Sequence, residues 1–276
     1  MRWSDLRQSG NIEDRRGMGG RGVAVGGGGI GVLILALVIY LCGGDPSRLF
    51  EGGIPQGEVP VPNAASNSAV NPQDTNRQFA GAIIGSLEDT WRGVLSQQTR
   101  IKLREPKLVL FTQQVSSACG YASAATGPFY CPGDQKLYLD FAFFDELRRE
   151  FKAPGDFAQA YVIAHEYGHH IQNLTGMMDK VQSSGGDNRL SVALELQADC
   201  YAGIWAAQAQ KQGRLDAGDP EEALRAASAV GDDMIQRRTQ GYVIPDSFTH
   251  GSSQQRMQWF QRGMQSGDMR QCQTLR

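Results

Sequence analysis

The residues with the clearest chemical potential lie at positions 165–170, where three of the four histidines of the chain occur. His165 and His169 are four residues apart, so on a helix they lie about 40° apart on one face and could hold a single cation. Glu166 lies about 100° around the same helix, where its carboxylate could reach a water in an open coordination position. This His-Glu-x-x-His arrangement is typical of hydrolytic zinc sites, in which the glutamate is the general base.

The surroundings of this motif strengthen the interpretation. Apolar residues lie on both sides of it, so the helix is expected to be buried, and two imidazoles and a carboxylate are costly to bury without a metal to pair with them. His170 is about 100° from His169 and is interpreted as a supporting or structural residue. The apolar flanks are Tyr161, Val162, Ile163, Ala164 and Ile171.

A hydrolytic zinc site needs a third protein ligand and one open position. The best source is a later helical pattern, LSVALELQADCYAGIWAAQ, in which Glu195 and Asp199 are four residues apart and share a face. Glu195 would complete a set of two histidines and a glutamate around one zinc ion, and Asp199 would accept the ring N–H of a zinc-binding histidine. Exchanged roles, with Asp199 on the metal, remain open, as does a pair of solvated carboxylates.

The elements around these residues predict an α+β domain, mainly helical with a small sheet. A helix is expected from about Thr75, where apolar residues recur at helical spacing, and strands are expected at Lys107 to Val115 and at Lys136 to Asp140. Further helices are predicted at about 141–151, 157–174, 191–212, 220–238 and 254–265.

An uncharged apolar run at residues 23–42 has the length that a helix needs to cross a bilayer. A buried core helix or a cleaved signal peptide fits less well, because the run has no polar face and no typical cleavage site follows it. Five arginines precede the run, which predicts a cytoplasmic amino terminus and an exported remainder. The expected organisation is a cytoplasmic tail (1–22), one transmembrane helix (23–42), a flexible linker (43–74) and a folded domain (75–276).

The cysteines agree with export. Apart from Cys42 at the end of the apolar run, the chain has four cysteines, an even number that an oxidising compartment could pair. We favour Cys119 with Cys131 and Cys200 with Cys272 among three possible connectivities. Four free buried thiols are the alternative. A cysteine-based zinc site is disfavoured because no Cys-x-x-Cys spacing occurs.

The overall charge argues against one class of partner. The formal net charge is −2, and no basic stripe interleaved with aromatic residues occurs along the chain. Nucleic acid is therefore not an expected partner. The oligomeric state is not encoded in any pattern of the sequence.

Four segments together resemble the bacterial putative neutral zinc metallopeptidase family: MRWSDLRQSGNIEDRRG, FYCPGDQKLYLDFAFFDEL, HEYGHHIQN and ELQADCYAG. That family is similar to the gluzincin peptidases, which implies His165, His169 and Glu195 as zinc ligands, Glu166 as general base and Asp199 as their support. It also implies a zincin-like fold with a strand edge above the metal for an extended polypeptide substrate. The strand at Lys136 to Asp140 is a candidate for that edge. A bacterial origin places the predicted domain in the periplasm, anchored in the inner membrane.

His250 is the one histidine outside the motif. Its segment resembles a late histidine and arginine segment of some membrane-bound gluzincins, which suggests that His250, and less directly Arg256, stabilises an oxyanion. A loop histidine before Gly251 and Ser252 is otherwise typical of a turn. The expected function is peptide hydrolysis near a membrane; a zinc-stabilised scaffold or quality-control adaptor and hydrolysis of a non-peptide amide are the alternatives.

Overall fold

The computed structural model describes residues 1–17, 74–183 and 187–275. Its strands are short and most of them come early in the chain, and most of the helices follow them, in agreement with the predicted α+β class. The strands are β1 (Ile12–Asp14), β2 (Lys107–Phe111), β3 (Gln114–Ser117), β4 (Gly120–Ser123), β5 (Phe129–Cys131) and β6 (Lys136–Asp140). The helices are α1 (Thr75–Gln98), α2 (Ala142–Arg149), α3 (Asp156–Leu174), α4 (Met177–Gln182), α5 (Asn188–Lys211), α6 (Asp219–Ala229), α7 (Asp232–Gln240) and α8 (Ser253–Ser266).

Four strands form a mixed sheet in the order β1-β2-β6-β5. β2 pairs in parallel with both β1 and β6, whereas β5 runs antiparallel to β6. The prediction that Lys136 to Asp140 forms the substrate edge is therefore wrong, because β6 lies between β2 and β5. The short strand β5 is the edge on that side.

Both faces of the central strands are buried, which explains their nearly continuous apolar sequences. Leu108 and Leu110 of β2 face the helical core, whereas Val109 and Phe111 face a smaller cluster on the other side. The predicted strand from Lys107 to Val115 is in fact two strands. The chain turns at Gln113, which has a positive φ of 65°, and β3 then pairs with β4 as a separate hairpin.

Helix α3 lies in the helical core and packs against α5 and α6, and α5 in turn packs along α8. The last contact is a close approach of two backbones. A Cβ atom on Gly203 would overlap the carbonyl oxygen of Phe260, and one on Gly263 would overlap that of Cys200. Glycine at both positions therefore allows α8 to lie against α5.

The predicted helix at 220–238 is interrupted. Helix α6 ends at Ala229 and α7 begins at Asp232. Gly231 between them lies against Ser253, where a Cβ would overlap the backbone nitrogen, and the Asp233 carboxylate accepts a hydrogen bond from that same nitrogen at 2.7 Å. The chain breaks here because the start of α8 occupies the space that a continuous helix would need.

Residues 1–17, the amino-terminal segment, belong to the same compact unit as the domain. Trp3 packs edge-on against Phe79 of α1, with ring centroids 5.4 Å apart. The buried carboxylate of Glu88 accepts hydrogen bonds from Arg7 (2.7 Å), Ser9 (2.6 Å) and Asn11 (2.8 Å). The structure thus differs from the predicted boundaries, in which residues 1–22 form a separate tail and the domain begins at 75.

The pairing of β1 with β2 also bears on the predicted membrane topology. Strand β1 precedes the apolar run at 23–42 and β2 follows it, yet the two strands pair in parallel. A single crossing of a bilayer within that run would place β1 and β2 on opposite sides of the membrane, where they could not share hydrogen bonds. The predicted single crossing and this strand pairing therefore exclude each other, and the compartment of each part stays a prediction.

The predicted transmembrane helix itself lies outside the described residues, as does the linker up to residue 73. Among the helices that the structure describes, none combines the length and apolar character that a membrane crossing requires.

Both predicted disulfides are confirmed. Cys119 is bonded to Cys131, which fastens the turn of the β3–β4 hairpin to the end of β5. Cys200 is bonded to Cys272, which fastens the carboxyl-terminal segment to α5.

Candidate metal centre

His165 and His169 lie one turn apart on α3, with ring centroids 4.8 Å apart. Their exposed fractions are only 6% and 9%. The helix is buried because α1, α5 and α6 pack around it, so both imidazoles are held in a largely apolar setting. Buried imidazoles require polar partners, and helix α5 supplies the first of them.

Glu195 of α5 reaches both rings from the neighbouring helix. Its Oε2 lies 3.1 Å from Nε2 of His165, and its Oε1 lies 3.3 Å from Nε2 of His169. One ligand atom from each of these residues lies within 4.8 Å of the others. Two imidazole nitrogens and a carboxylate are the donor set of hydrolytic zinc sites, so the residues present fit one zinc ion.

Asp199, one turn further along α5, contacts the opposite side of the His165 ring. Its Oδ1 lies 2.8 Å from Nδ1 of His165 and accepts a hydrogen bond from Tyr161 at 2.5 Å. Arg256 of α8 donates to both carboxylate oxygens, from Nε at 2.8 Å and from Nη2 at 3.0 Å. Because these partners engage both oxygens of Asp199, the geometry favours Glu195 over Asp199 as the metal ligand.

The field in this centre favours positive charge. Burial alone would lower the pKa of His165, but the Asp199 and Glu195 carboxylates raise it to about 10. Burial also acts to lower the pKa of His169, but the Glu195 carboxylate outweighs this effect and the pKa is raised. Although burial acts to raise the pKa of Glu195, the two histidines hold it well below its usual range. A cation at this point would therefore find its countercharge already in place.

Glu166 neighbours the first histidine and lines the same cleft. Its side chain is partly exposed, unlike the fully buried Asp199. Desolvation of the carboxylate raises the pKa of Glu166, and the positive charges of His169 and His165 oppose that shift. The carboxylate is thus placed to meet a solvent molecule or a substrate in the cleft.

The cleft above the centre has a volume of about 610 Å³. One wall is the segment from Ala125 to Tyr130, which leads into and includes the start of edge strand β5. The lining also includes Val230, Ile235 and His250, around the break between α6 and α7. Further apolar lining comes from Phe143, Phe151, Val162, Met178 and Leu194.

His250 lies on the cleft wall and is about half exposed. Asp232 fixes it, because one carboxylate oxygen accepts the backbone N–H of His250 at 2.6 Å and the other lies 3.2 Å from its Nδ1. This hydrogen bond raises the pKa of His250 above its ordinary value, against the effect of burial. The residue therefore faces the cleft on a firmly held loop.

His170 points away from the three converging groups, as expected from its position on the helix. Its Nε2 contacts the carbonyl oxygen of Arg104 at 2.5 Å, and its Nδ1 lies 3.1 Å from the hydroxyl of Tyr130. Burial lowers the pKa of His170 to about 4. It holds α3 to edge strand β5 and has a structural role.

Sequence reasoning missed one contact of the centre and undervalued another. Gln172 accepts a hydrogen bond from Nδ1 of His169 at 2.8 Å; its position three residues after His169 was a usable signal, because such residues are neighbours on a helix. Arg256 was considered only as a lesser partner of His250. Its contact with Asp199 joins residues 57 apart in the sequence, and no local spacing reports such a pair.

Comparisons with known proteins identify the family of the chain and relatives that align along its length. The family model described as putative neutral zinc metallopeptidase matches residues 1–275. The uncharacterized protein YpfJ of Escherichia coli (strain K12) is 45% identical over 290 residues, covering 100% of this chain and 99% of the relative. The uncharacterized protein Rv2575 of Mycobacterium tuberculosis (strain ATCC 25618 / H37Rv) is 42% identical over 217 residues, 73% of this chain and 72% of the relative. No solved structure matches. The resemblance inferred from the motifs is confirmed, and the chain belongs to the putative neutral zinc metallopeptidase family.

Proposed function

We propose that the chain is a zinc-dependent endopeptidase that hydrolyses peptide bonds of polypeptide substrates. The observation that carries this proposal is the convergence of His165, His169 and Glu195 beside Glu166 in an open cleft. Structural zinc sites take four protein ligands, whereas catalytic sites take three and keep one position free. Among the described residues, the group around the two histidines offers three ligands.

Each residue has a defined part in the proposed reaction. Zinc bound by His165, His169 and Glu195 would polarise the carbonyl of the scissile bond and lower the pKa of a nearby water. Glu166 would accept the proton of that water and pass it to the nitrogen of the leaving amine.

Edge strand β5 is the proposed docking line for an extended peptide. Phe129 and Tyr130 line the cleft beside the histidines, and β5 pairs on one side with β6. A substrate backbone could add to the other side through main-chain hydrogen bonds, with its side chains in the apolar pockets of the cleft. This assignment replaces the predicted role of Lys136 to Asp140.

His250 and Arg256 receive different roles in the proposal. His250 faces the cleft and would donate a hydrogen bond to the oxyanion that forms on the substrate carbonyl. Arg256 is engaged with Asp199 and would act as a positioning residue, because it fixes the carboxylate that orients His165. Attachment to a bilayer through residues 23–42 stays a prediction, since these residues lie outside the described part of the chain.

The test is the substitution Glu166→Gln in the purified protein loaded with zinc. It keeps the shape of the side chain and removes the base, so peptide cleavage is expected to fall by about 10²- to 10⁴-fold while bound zinc and thermal stability stay near the parent's. Glu146→Gln is the matched control, because Glu146 lines the same cleft but is not one of the proposed zinc ligands.

Cleavage is measured on a peptide library, with and without chelator, alongside elemental analysis of zinc. A parent protein that holds one zinc per chain yet cleaves no peptide in the library would support the scaffold or adaptor alternative. Equal cleavage by the parent and by Glu166→Gln would remove Glu166 from the mechanism.

A further inference from the structure

In each of the two candidate histidine ligands, one ring nitrogen faces Glu195 and the other faces away from it. The two nitrogens that face away have different partners. His165 presents its Nδ1 to a carboxylate, that of Asp199. His169 presents its Nδ1 to an amide, that of Gln172. This second contact does not end at Gln172 but continues through the protein interior.

A chain of hydrogen bonds leads from His169 to the carboxyl-terminal segment. Nε2 of Gln172 donates to the carbonyl oxygen of Leu194 at 2.7 Å and to Oε1 of Gln197 at 3.1 Å. Nε2 of Gln197 donates to the carbonyl oxygen of Cys272 at 2.9 Å. We call the side chains of Gln172 and Gln197, with the Cys272 carbonyl, the amide relay.

The direction of the relay is fixed by its backbone ends. A backbone carbonyl oxygen only accepts hydrogen bonds, so the amide group that faces Leu194 or Cys272 must present its NH2. With its NH2 so committed, Gln172 presents its oxygen to His169. An oxygen at that point requires Nδ1 of His169 to carry the proton, which leaves the lone pair on Nε2, the nitrogen that faces Glu195.

Burial makes the alternative orientation costly. Gln172 and Gln197 both have an exposed fraction of 0%. Turning either amide around would set NH2 against a donor and oxygen against a carbonyl, and buried polar groups without partners destabilise the folded protein.

The far end of the relay is itself anchored. Cys272 is bonded to Cys200 of α5, and Thr274 donates to the carbonyl oxygen of Ala193 at 2.6 Å. Helix α5 also carries Glu195. The carbonyl that orients Gln197 is therefore held by the same helix that supplies the third candidate ligand.

We propose that Gln172 and Gln197 are positioning residues that set the tautomer and ring orientation of His169 for metal binding, with the disulfide-anchored carbonyl of Cys272 as their fixed end. The inference rests on the proposed function, because it concerns the same zinc ligands. By this inference the geometry of the metal site also depends on the carboxyl-terminal segment. That segment contains Cys272, which lies 72 residues after its disulfide partner Cys200.

The test uses Gln172→Met and Gln197→Met, which keep most of the volume and remove the amide, with the exposed Gln210→Met of α5 as control. Zinc affinity is measured by competition with a chelating dye, and the cobalt-substituted proteins are compared by visible absorption. Gln172→Met is expected to weaken zinc binding about 10- to 100-fold, as loss of a supporting contact to a metal-binding histidine does. Gln197→Met is expected to weaken it less and to shift the cobalt spectrum in the same direction.

A variant with both substitutions tests whether Gln197 acts on His169 through Gln172. Because Gln197 reaches His169 only through Gln172, the affinity of Gln172→Met/Gln197→Met should equal that of Gln172→Met within about twofold, rather than show the product of both effects. Parent affinity in Gln197→Met, or independent effects in the double variant, would overturn the proposal. If Gln172→Met does not fold, Gln197→Met alone decides between these results. A parent that binds no zinc would instead defeat the proposed function.

Discussion

His165 is oriented by a carboxylate that is itself neutralised. Asp199 is fully buried, and Arg256 lies against it with both side chains almost without exposure. A buried carboxylate next to a metal ligand strengthens that ligand, but an unpaired one would be costly to bury. Arg256 thus makes it possible for Asp199 to remain charged behind His165.

Glu195 and Asp199 should respond differently to substitution. Glu195→Ala removes a candidate ligand, so the protein is expected to lose zinc, and with it activity and part of its thermal stability. Asp199→Asn keeps the shape and is expected to retain zinc with an affinity weakened about 10- to 100-fold, partly restored by added zinc. Bound zinc is determined by elemental analysis after dialysis. An empty site in Asp199→Asn together with a filled one in Glu195→Ala would exchange the two roles.

The sequence predicted the converging residues that are joined by helical spacing. His165 and His169 share a turn of α3, and Glu195 and Asp199 share a turn of α5, so periodicity alone placed each pair on one face. Arg256 could not be placed in this way. Its position depends on the packing of α8 against α5 through Gly203 and Gly263, which no local pattern encodes.

The same limit applies to the elements. Long helices such as α3 and α5 were predicted to within a few residues, because their apolar spacing extends over several turns. Strand β1 has three residues and was not predicted, since so short a segment shows no alternation that could be recognised. Strand order depends on pairing between distant segments, which is why Lys136 to Asp140 was assigned to an edge.

Helix α1 offers a direct test of the amino-terminal segment. A Cβ on Gly85 would overlap the carbonyl oxygen of Arg7, whereas Gly93 on the same helix has open space. Gly85→Ala is expected to displace residues 7–9 and to lower the free energy of unfolding by about 1–3 kcal/mol. Gly93→Ala should raise it by about 0.5–1 kcal/mol, because alanine favours the helix.

Urea unfolding measures both variants, and limited proteolysis reports whether residues 1–17 have become accessible. The two substitutions make the same chemical change in one helix, so a general effect of alanine would move them in the same direction. Equal stability of the two variants, with residues 1–17 equally protected, would mean that the segment does not lie against Gly85.

For the whole molecule, the structure and the apolar run at 23–42 restrict the topology together. The pairing of β1 with β2 requires the amino-terminal segment and the domain to share one compartment. The two disulfides favour an oxidising compartment. We therefore propose that both parts are extracytoplasmic, in place of a cytoplasmic amino terminus.

Labelling of single cysteines in intact bacterial cells tests this arrangement. In a Cys42→Ala background, Ser4→Cys and Gln265→Cys place thiols at exposed positions of the amino-terminal segment and of α8. Both are expected to react with a maleimide that crosses the outer membrane but not the inner one, and to react equally after the cells are opened. Labelling of Gln265→Cys alone before opening would restore the single crossing and exclude the pairing of β1 with β2 in the cell. Protection of both thiols until the inner membrane is opened would keep the pairing but place the whole protein in the cytoplasm.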